Sequence, residues 1–356
     1  MGVEKAVIRR LSYGVRLTYR INRNNLHAVV ISRIKRKYIY WREILNTRKA
    51  LNDFSKGRQV RLYNWSKPFP QDAWLMDFIE KRGLLDGKPK LRIGLYSIFA
   101  PFWLSRFDGA DARIFVEREN LHKPLMQSWL HRFLDDSRVD LSLGFDTLSH
   151  PQYMRFPFWV MWGVFSPTAD YAEIKEQIQR MDSAQNHSYD DRKYCAYLCS
   201  HNDRGRRKIY EQFSTIGRVD CDGKLFHNND ELKTVFNDDK LAYLRQYRFN
   251  LTPENTNHQG YVTEKLFEAI CAGCIPIYHG SDNNPEPDVL NKNAIVFIEV
   301  GAENKDAVDM VRFLNASKDA YLHYASQKRF TSDASEIIWG YYSELESRIR
   351  EIIKNI

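Results

Sequence analysis

The sequence predicts an α/β protein with two Rossmann-like halves that face a cleft, preceded by a basic helical N-terminal extension. Two observations carry this prediction. The 356 residues are enough for two hydrophobic cores, and short buried strand patterns alternate with helical patterns along most of the chain. The composition, 43% hydrophobic and 28% charged, excludes a disordered or fibrous protein. The best apolar run, residues 156–165, is shorter than the roughly 18 residues of a membrane-spanning helix.

Each half follows from its own series of elements. In the first half, residues 61–165, the strand patterns are 90–97, 112–116 and 141–145, with a helix at 127–133. Residues 166–192 are polar, include one helical pattern and are interpreted as a linker. The second half, residues 193–334, has strand patterns at 193–200, 247–252, 274–278 and 293–300. Its helical patterns are 208–213, 261–272, 306–315 and 318–327. Residues 335–356 form a last helix that is free to cross back to the first half.

The positive charge is concentrated at the N-terminus. Residues 1–60 hold 15 lysines and arginines against 3 acidic residues, whereas the rest of the chain has 38 basic and 42 acidic residues. Such a basic arm indicates a polyanionic partner. Apolar residues interleave with the arginines, which suits helices lying on anionic lipid; a solvated helical face packed on a neighbour is the other interpretation. Because no secretory signal is recognisable, we expect a cytoplasmic protein, peripheral on the inner face of the membrane.

Neither disulfide nor metal chemistry is predicted. The five cysteines are an odd, sparse set, which suits a reducing compartment. Cys271 and Cys274 form a C-x-x-C pair with no second pair of metal spacing, and the Asp-x-Asp at residues 220–222 is interpreted as a turn. The histidines show no metal-ligand spacing. We therefore interpret His122, His258 and His279, which border the predicted cleft, as rim or packing residues.

The stretch 249–280 carries the strongest chemical signal. It has the order strand, polar loop, helix, glycine, strand, and ligands of open α/β sheets bind at such strand-to-helix loops. The helix predicted to begin near residues 261–263 would direct unpaired N–H groups at an anion. Lys265 lies in the first turn, where the positive end of the helix dipole disfavours a cation. A polyanion bound at this position would explain the lysine. The alternative is a capped surface helix with a Lys265–Glu268 ion pair.

This stretch resembles the alpha-1,3-fucosyltransferase family (glycosyltransferase family 10). The family signature combines F-x-L-x-F-E-N, Y-[VI]-T-E-K and [IV]-P-[IV]-Y-x-G. The chain supplies Phe249, Leu251, Glu254, Asn255, Tyr261, Val262, Thr263, Glu264, Lys265, Ile275, Pro276, Ile277, Tyr278 and Gly280. Pro253 stands where the family has an aromatic residue.

Two shorter matches lie outside this stretch. Residues 114–120 are similar to the family's strand that ends in F-Y-T-G-E-N, with Arg118 in place of the glycine. This match assigns the family's catalytic base to Glu119, which Asn120 follows. The family's phosphate-binding arginine falls on Arg207, with Arg204 and Arg206 as alternatives.

The resemblance implies a GT-B fold, with an acceptor-binding first half and a GDP-sugar-binding second half. It implies an inverting transfer of L-fucose from GDP-fucose to a glycan or glycolipid hydroxyl, such as an α-1,3 linkage to a GlcNAc-type unit of a bacterial surface polysaccharide or lipopolysaccharide. Glu119 would be the base, and Asn120 and Glu254 would face the acceptor side of the cleft. No cofactor is required, although a divalent metal is compatible. The donor would be bound by Arg207, Asn255, Tyr261, Glu264 and Lys265.

Two alternatives remain at the level of the sequence. One is the same chemistry with a different GDP-deoxysugar, because Pro253 and Arg118 depart from the family pattern. The other is a nucleic-acid-binding protein that uses the basic arm. That alternative gives no reason for the Y-V-T-E-K motif, so no nucleic-acid partner is expected.

Overall fold

The computed structural model describes residues 52–63, 65, 70–98, 105, 108–124, 126, 133–183, 186–200 and 205–356, together with scattered residues between 34 and 49. Most of the predicted basic extension and nearly all of the predicted helix at 127–133 lie outside the described residues. Within the described part of the chain, no helix combines the length and the apolar character that a membrane crossing requires.

The first half contains a parallel sheet whose strands follow one another in chain order. Its strands are β1 (Val60–Tyr63), β2 (Ile93–Tyr96), β3 (Ala112–Val116), β4 (Leu141–Gly144) and β5 (Tyr153–Arg155). Strands β2 and β4 are buried along their whole length, as expected for a sheet covered on both faces. Helix α1 (Trp74–Lys81) connects β1 to β2. The sequence patterns predicted β2, β3 and β4 but missed the short strands β1 and β5.

The predicted boundary at residue 60 divides a folded unit. Arg58 binds Asp77 at 2.7 Å and Glu80 at 2.6 Å, and both of these carboxylates belong to α1. The Ser55 hydroxyl accepts the N–H of Leu62 in β1. Residues 52–60 are therefore part of the first half, and the extension ends before them.

The second half contains another parallel sheet, with the strand order β10-β9-β8-β6-β7. Its strands are β6 (Lys193–Ala196), β7 (Val219–Asp220), β8 (Tyr247–Pro253), β9 (Ile275–His279) and β10 (Val296–Phe297). Strand β6 is the switch point of the strand order, because β7 pairs with it on one side and β8 on the other. Ligands of open α/β sheets bind outside the carboxyl ends of the strands at such a switch point.

Helices separate these strands and continue after them. Between Lys193 and Phe297 they are α3 (Arg206–Ser214), α4 (Glu231–Thr234), α5 (Lys240–Leu244) and α6 (Glu264–Cys271). The predicted linker contains α2 (Tyr171–Met181), which begins with a capping box between Asp170 and Glu173. After the second sheet come α7 (Lys305–Ala316), α8 (Lys318–Ala325) and α9 (Ala334–Lys354). The parallel α/β arrangement predicted from the alternation of patterns is confirmed.

The two halves share one hydrophobic core. The Trp159 ring of the first half stacks on Phe267 of α6, with ring centroids 3.9 Å apart. Helix α9 lies across the first half, where Tyr342 packs edge-on against Trp74 and Phe78. This packing places the carboxyl edge of β3 near the loop that leads from β8 into α6.

Candidate active site

The switch point of the second sheet brings a guanidinium and an amide together. Arg206 is the first residue of α3, which follows β6, and Asn255 follows β8. The Arg206 Nη2 atom donates to Asn255 Oδ1 at 3.0 Å and to the carbonyl oxygen of Glu254 at 3.3 Å. Arg206 is 5% exposed. A buried cation at a helix N-terminus, in front of a switch point, is suited to bind an anion.

This geometry corrects the assignment of the phosphate-binding arginine to Arg207. The Arg207 side chain is 61% exposed and lies 3.9 Å from Glu211 on the same helix. Successive residues of an α-helix point about 100° apart, so only one of the two arginines can face the sheet. Arg206 faces it and replaces Arg207 as the candidate. Arg204 lies outside the described residues.

A buried carboxylate occupies the N-terminus of α6. Glu254 accepts the backbone N–H of Thr263 at 2.7 Å and the Lys265 ammonium at 3.0 Å. Gly280 leaves room for this side chain, because a Cβ there would lie 2.6 Å from the Cγ of Glu254. Two predictions are corrected. Glu254 is buried beneath the helix instead of facing an acceptor, and the N–H of Thr263 is not free to bind an outside anion.

The charges around this helix end stabilise one another. Burial disfavours the charged form of Lys265. The attraction of the carboxylates of Glu254 and Glu264 is larger than this effect of burial, so the pKa of Lys265 is raised. Burial also disfavours the charged form of Glu264. The attraction of the nearby Lys265 and Lys240 is larger than this effect, so the pKa of Glu264 is lowered. Both groups are therefore ionised near neutral pH. An anion at this helix end would meet the side chains of Lys265 and Arg206, whose charges act on each other.

Tyr261 lies between the two halves. Its side chain is 4% exposed and packs edge-on against Phe145 of the first half, with ring centroids 5.2 Å apart. Burial and the negative charges of Glu119, Glu254 and Glu264 raise the pKa of Tyr261 well above its usual value. The phenol therefore keeps its proton and can act as a hydrogen-bond donor.

Glu119 follows β3 by three residues and is partly accessible. Its side chain is 27% exposed and pairs with Lys123 at 2.8 Å. A partly exposed pair of this kind contributes little stability, so Lys123 can exchange for another partner at low cost. The next residue behaves differently: Asn120 is buried, and its Nδ2 donates to the hydroxyl of Thr256 in the second half at 2.9 Å. This corrects the prediction for Asn120, which connects the two halves and does not face an acceptor.

Arg118 has a role that the sequence did not reveal. Its guanidinium lies 2.7 Å from the carboxylate of Asp72 and 4.3 Å from the centre of the Trp65 ring. Burial lowers the pKa of Arg118, and the Asp72 charge opposes this effect. These contacts fix the residue next to Glu119. The partners lie some fifty positions earlier in the chain, so no local spacing could have indicated them.

An ion pair also connects the two halves. The Arg155 Nη2 at the end of β5 lies 2.8 Å and 3.0 Å from the two carboxylate oxygens of Glu286. Glu286 is buried, which raises its pKa against the opposing charge of Arg155. Together with the Asn120–Thr256 bond, this pair holds Glu119 on the same side of the molecule as Tyr261.

Comparisons with known proteins agree with this architecture. The family model described as "Glycosyltransferase family 10 (fucosyltransferase) C-term" matches residues 189–343. A solved structure described as "Crystal Structure of alpha1,3-Fucosyltransferase" is 18% identical, with a TM-score of 0.51 over 81% of this chain and 89% of that one. The GDP-bound form of such an enzyme gives a TM-score of 0.50 over 82% of this chain and 92% of that one, at 18% identity. The shared fold is of the GT-B type.

Curated relatives match over shorter stretches. "Alpha-(1,3)-fucosyltransferase FucT" of Helicobacter pylori is 28% identical over 51% of this chain and 42% of its own length. "GDP-fucose protein O-fucosyltransferase 3" of Xenopus laevis is 30% identical over 34% of this chain and 29% of its own. The chain thus spans less than half the length of these relatives. The family model, the relatives and the fold agree that residues 189–343 resemble the C-terminal domain of glycosyltransferase family 10.

Proposed function

We propose that this protein is an inverting fucosyltransferase that moves L-fucose from GDP-fucose to a hydroxyl group of a glycan. The observation that carries the proposal is the cluster of Arg206, Asn255 and Lys265 at the carboxyl edge of a family 10 domain. The names of the relatives support the donor, because bacterial and animal members alike are called fucosyltransferases. Their acceptors differ, so the names support the donor more strongly than the acceptor.

The second half would bind the donor. Arg206 and Lys265 would neutralise the diphosphate, each charge-assisted hydrogen bond contributing about 1.5–3 kcal/mol. Asn255 would add a polar contact at the switch point. Tyr261, which keeps its proton, and Glu264, which keeps its charge, would bind hydroxyl groups of the ribose or of the fucose. Two cations can meet the diphosphate charge, so donor binding as proposed here needs no metal ion.

Glu119 would act as the general base on the acceptor. In a single displacement, the acceptor oxygen attacks the anomeric carbon while its proton passes to the Glu119 carboxylate. The bond between that carbon and the diphosphate oxygen breaks, and GDP leaves with the electron pair. Arg206 and Lys265 stabilise the charge that develops on the leaving diphosphate. One displacement inverts the anomeric centre, so no protein nucleophile is needed.

We further propose a GlcNAc-type acceptor unit of a surface polysaccharide or lipopolysaccharide, joined by an α-1,3 linkage, and an enzyme that works at the inner face of a bacterial membrane. The linkage is supported by the names of the Helicobacter pylori and Drosophila melanogaster relatives. Membrane attachment through the basic N-terminal residues is tested with a chain lacking residues 1–51. That variant should lose binding to vesicles of anionic lipid and keep its rate on a soluble acceptor.

The donor is tested by offering GDP-fucose and GDP-mannose to the full chain with glycan and peptide acceptors. GDP release and the anomeric configuration of the product are measured. Transfer from GDP-fucose with inversion is the expected result. A folded protein that releases no GDP from GDP-fucose with any acceptor, or that prefers another GDP-sugar, would contradict the proposal.

A further inference from the structure

Three metal-binding side chains meet where the two halves touch. His122 follows Asn120, and Asp146 follows β4, so both belong to the first half. His258 belongs to the loop between β8 and α6 of the second half. One ligand atom from each residue lies within 4.8 Å of the other two. The His122 Nε2 lies 2.9 Å from an Asp146 carboxylate oxygen, and the two imidazole rings stack with centroids 3.8 Å apart.

The surroundings of this cluster favour a cation. Two imidazoles and one carboxylate form a donor set that suits divalent transition metals. The Asp146 side chain is 11% exposed, and the Phe145 ring lies 6.3 Å from His122 and 5.9 Å from His258. This apolar neighbour shields one side of the cluster from water and strengthens its electrostatic interactions.

The hydrogen bonds also orient the donors. His258 Nδ1 lies 3.0 Å from the carbonyl oxygen of Gln259, and a donated Nδ1–H bond leaves the lone pair of the ring on Nε2. A metal ion binds the unprotonated Nε2 of His122, so a proton held on that atom would pass to solvent when the ion binds.

Two other His–Asp pairs lack the second imidazole that this cluster has. His150 pairs with Asp135 at 3.2 Å and His227 with Asp230 at 2.9 Å, both at the surface. Among the residues that the structure describes, only the His122 cluster joins a second imidazole to such a pair and qualifies as a metal-binding group.

We propose that His122, Asp146 and His258 bind one divalent transition-metal ion of the Zn²⁺ class, with a fourth position open to water or a ligand. A tetrahedral zinc site with Zn–N distances of about 2.0–2.1 Å places its ligand atoms about 3.3 Å apart. In the structure the three ligand atoms already lie within 4.8 Å of one another. The ion joins the loop after Glu119 to the loop before Tyr261, and so fixes the two halves relative to each other.

The test uses the full chain, stripped with a chelator, then incubated with Zn²⁺ and desalted. Bound zinc is measured by elemental analysis, and Co²⁺ absorption reports the coordination. We expect about one Zn²⁺ per chain, and a melting temperature that rises on Zn²⁺ addition. His258→Gln and Asp146→Asn should each weaken Zn²⁺ binding by about tenfold or more. His227→Gln removes a surface His–Asp pair and should bind like the unmodified chain.

The stripped variants must melt like the stripped unmodified chain, which separates loss of metal from loss of folding. A variant that melts differently is replaced by His122→Gln in the same assay. An unmodified chain that keeps no zinc after desalting would overturn the proposal. Equal zinc retention by the unmodified chain and by His258→Gln would overturn it as well, since the metal would then be bound elsewhere.

Discussion

The Lys265 ammonium lies 3.0 Å from the Glu254 carboxylate, which also accepts the N–H of Thr263. The cation proposed to bind the donor is thus held by an acid that is itself fully buried. This acid positions the first turn of α6 before any ligand arrives.

Replacing Glu254 should therefore destabilise the protein. Glu254→Gln keeps the shape but removes the charge, leaving Lys265 without its main partner, and we expect a loss of about 2–3 kcal/mol in the free energy of unfolding. Urea denaturation measures it. Glu231→Gln is the control, because its partner Lys193 is 45% exposed and surface pairs contribute less than about 1 kcal/mol. Equal losses in both variants would contradict the structural role of Glu254.

The two neighbouring arginines of α3 should differ in their effect on donor binding. Arg206→Ala removes the cation that faces Asn255, and we expect GDP affinity to fall by about tenfold to a hundredfold, as for one lost charge-assisted bond. Arg207→Ala changes an exposed side chain and should leave the affinity unchanged. Calorimetric titration with GDP measures both, after circular dichroism has shown that each variant is folded. The reverse order of effects would restore Arg207 as the candidate.

Glu119→Gln should separate chemistry from binding. The amide cannot take up the acceptor proton, so we expect the transfer rate to fall by about 10²–10⁴-fold. GDP binding should persist, because the proposed donor contacts all belong to the second half. Single-turnover rates and GDP titration provide the two readouts. A variant that keeps most of its rate would move the base to another residue.

The stability of the protein should decrease below neutral pH because of His187. Burial, reinforced by the positive charge of Arg329, lowers the pKa of this imidazole to about 4, whereas an unfolded histidine titrates near 6.5. Above pH 6.5 the residue is neutral in both states. As the pH falls toward 4, only the unfolded chain takes up the proton, and the free energy of unfolding drops by up to about 3 kcal/mol.

His187→Gln tests this contribution. A glutamine can still donate to the carbonyl oxygen of Gly273, which the His187 ring contacts at 3.2 Å. The difference in unfolding free energy between the two proteins should therefore change between pH 6.5 and pH 4 and be constant above that range. Urea denaturation across this pH range measures it. A difference that is independent of pH would show that His187 does not titrate as stated.

Sequence reasoning succeeded where the signal was local. Strand β3 coincides with the predicted pattern at 112–116. Four of its five residues are apolar, and these four are buried in the structure. The start of α6 was placed too early: Gly260 has a positive φ of 77°, and Thr263 is extended as the N-cap, so the helix begins only at Glu264. Short strands such as β5, with three residues, are too brief to produce a periodic pattern.

The parts of the site that depend on tertiary contacts could not be predicted from the sequence. The choice between Arg206 and Arg207 depends on which face of α3 packs on the sheet, and the sequence fixes neither the phase nor the first residue of a short helix. The burial of Glu254 and Asn120 depends on Gly280 and Thr256, which approach them only in the folded chain. The His122–Asp146–His258 cluster spans 136 positions, so it has no spacing to recognise.

Helix α9 has a consequence for how the molecule unfolds. It follows the second half in sequence, yet Tyr342 covers Trp74 and Phe78, and Glu346 binds Arg82 at 3.2 Å. Neither half can therefore melt without exposing apolar surface of the other, and denaturation of this pair should be a single cooperative event. A fragment cut ahead of residue 334 would lose this cover and would be prone to aggregate.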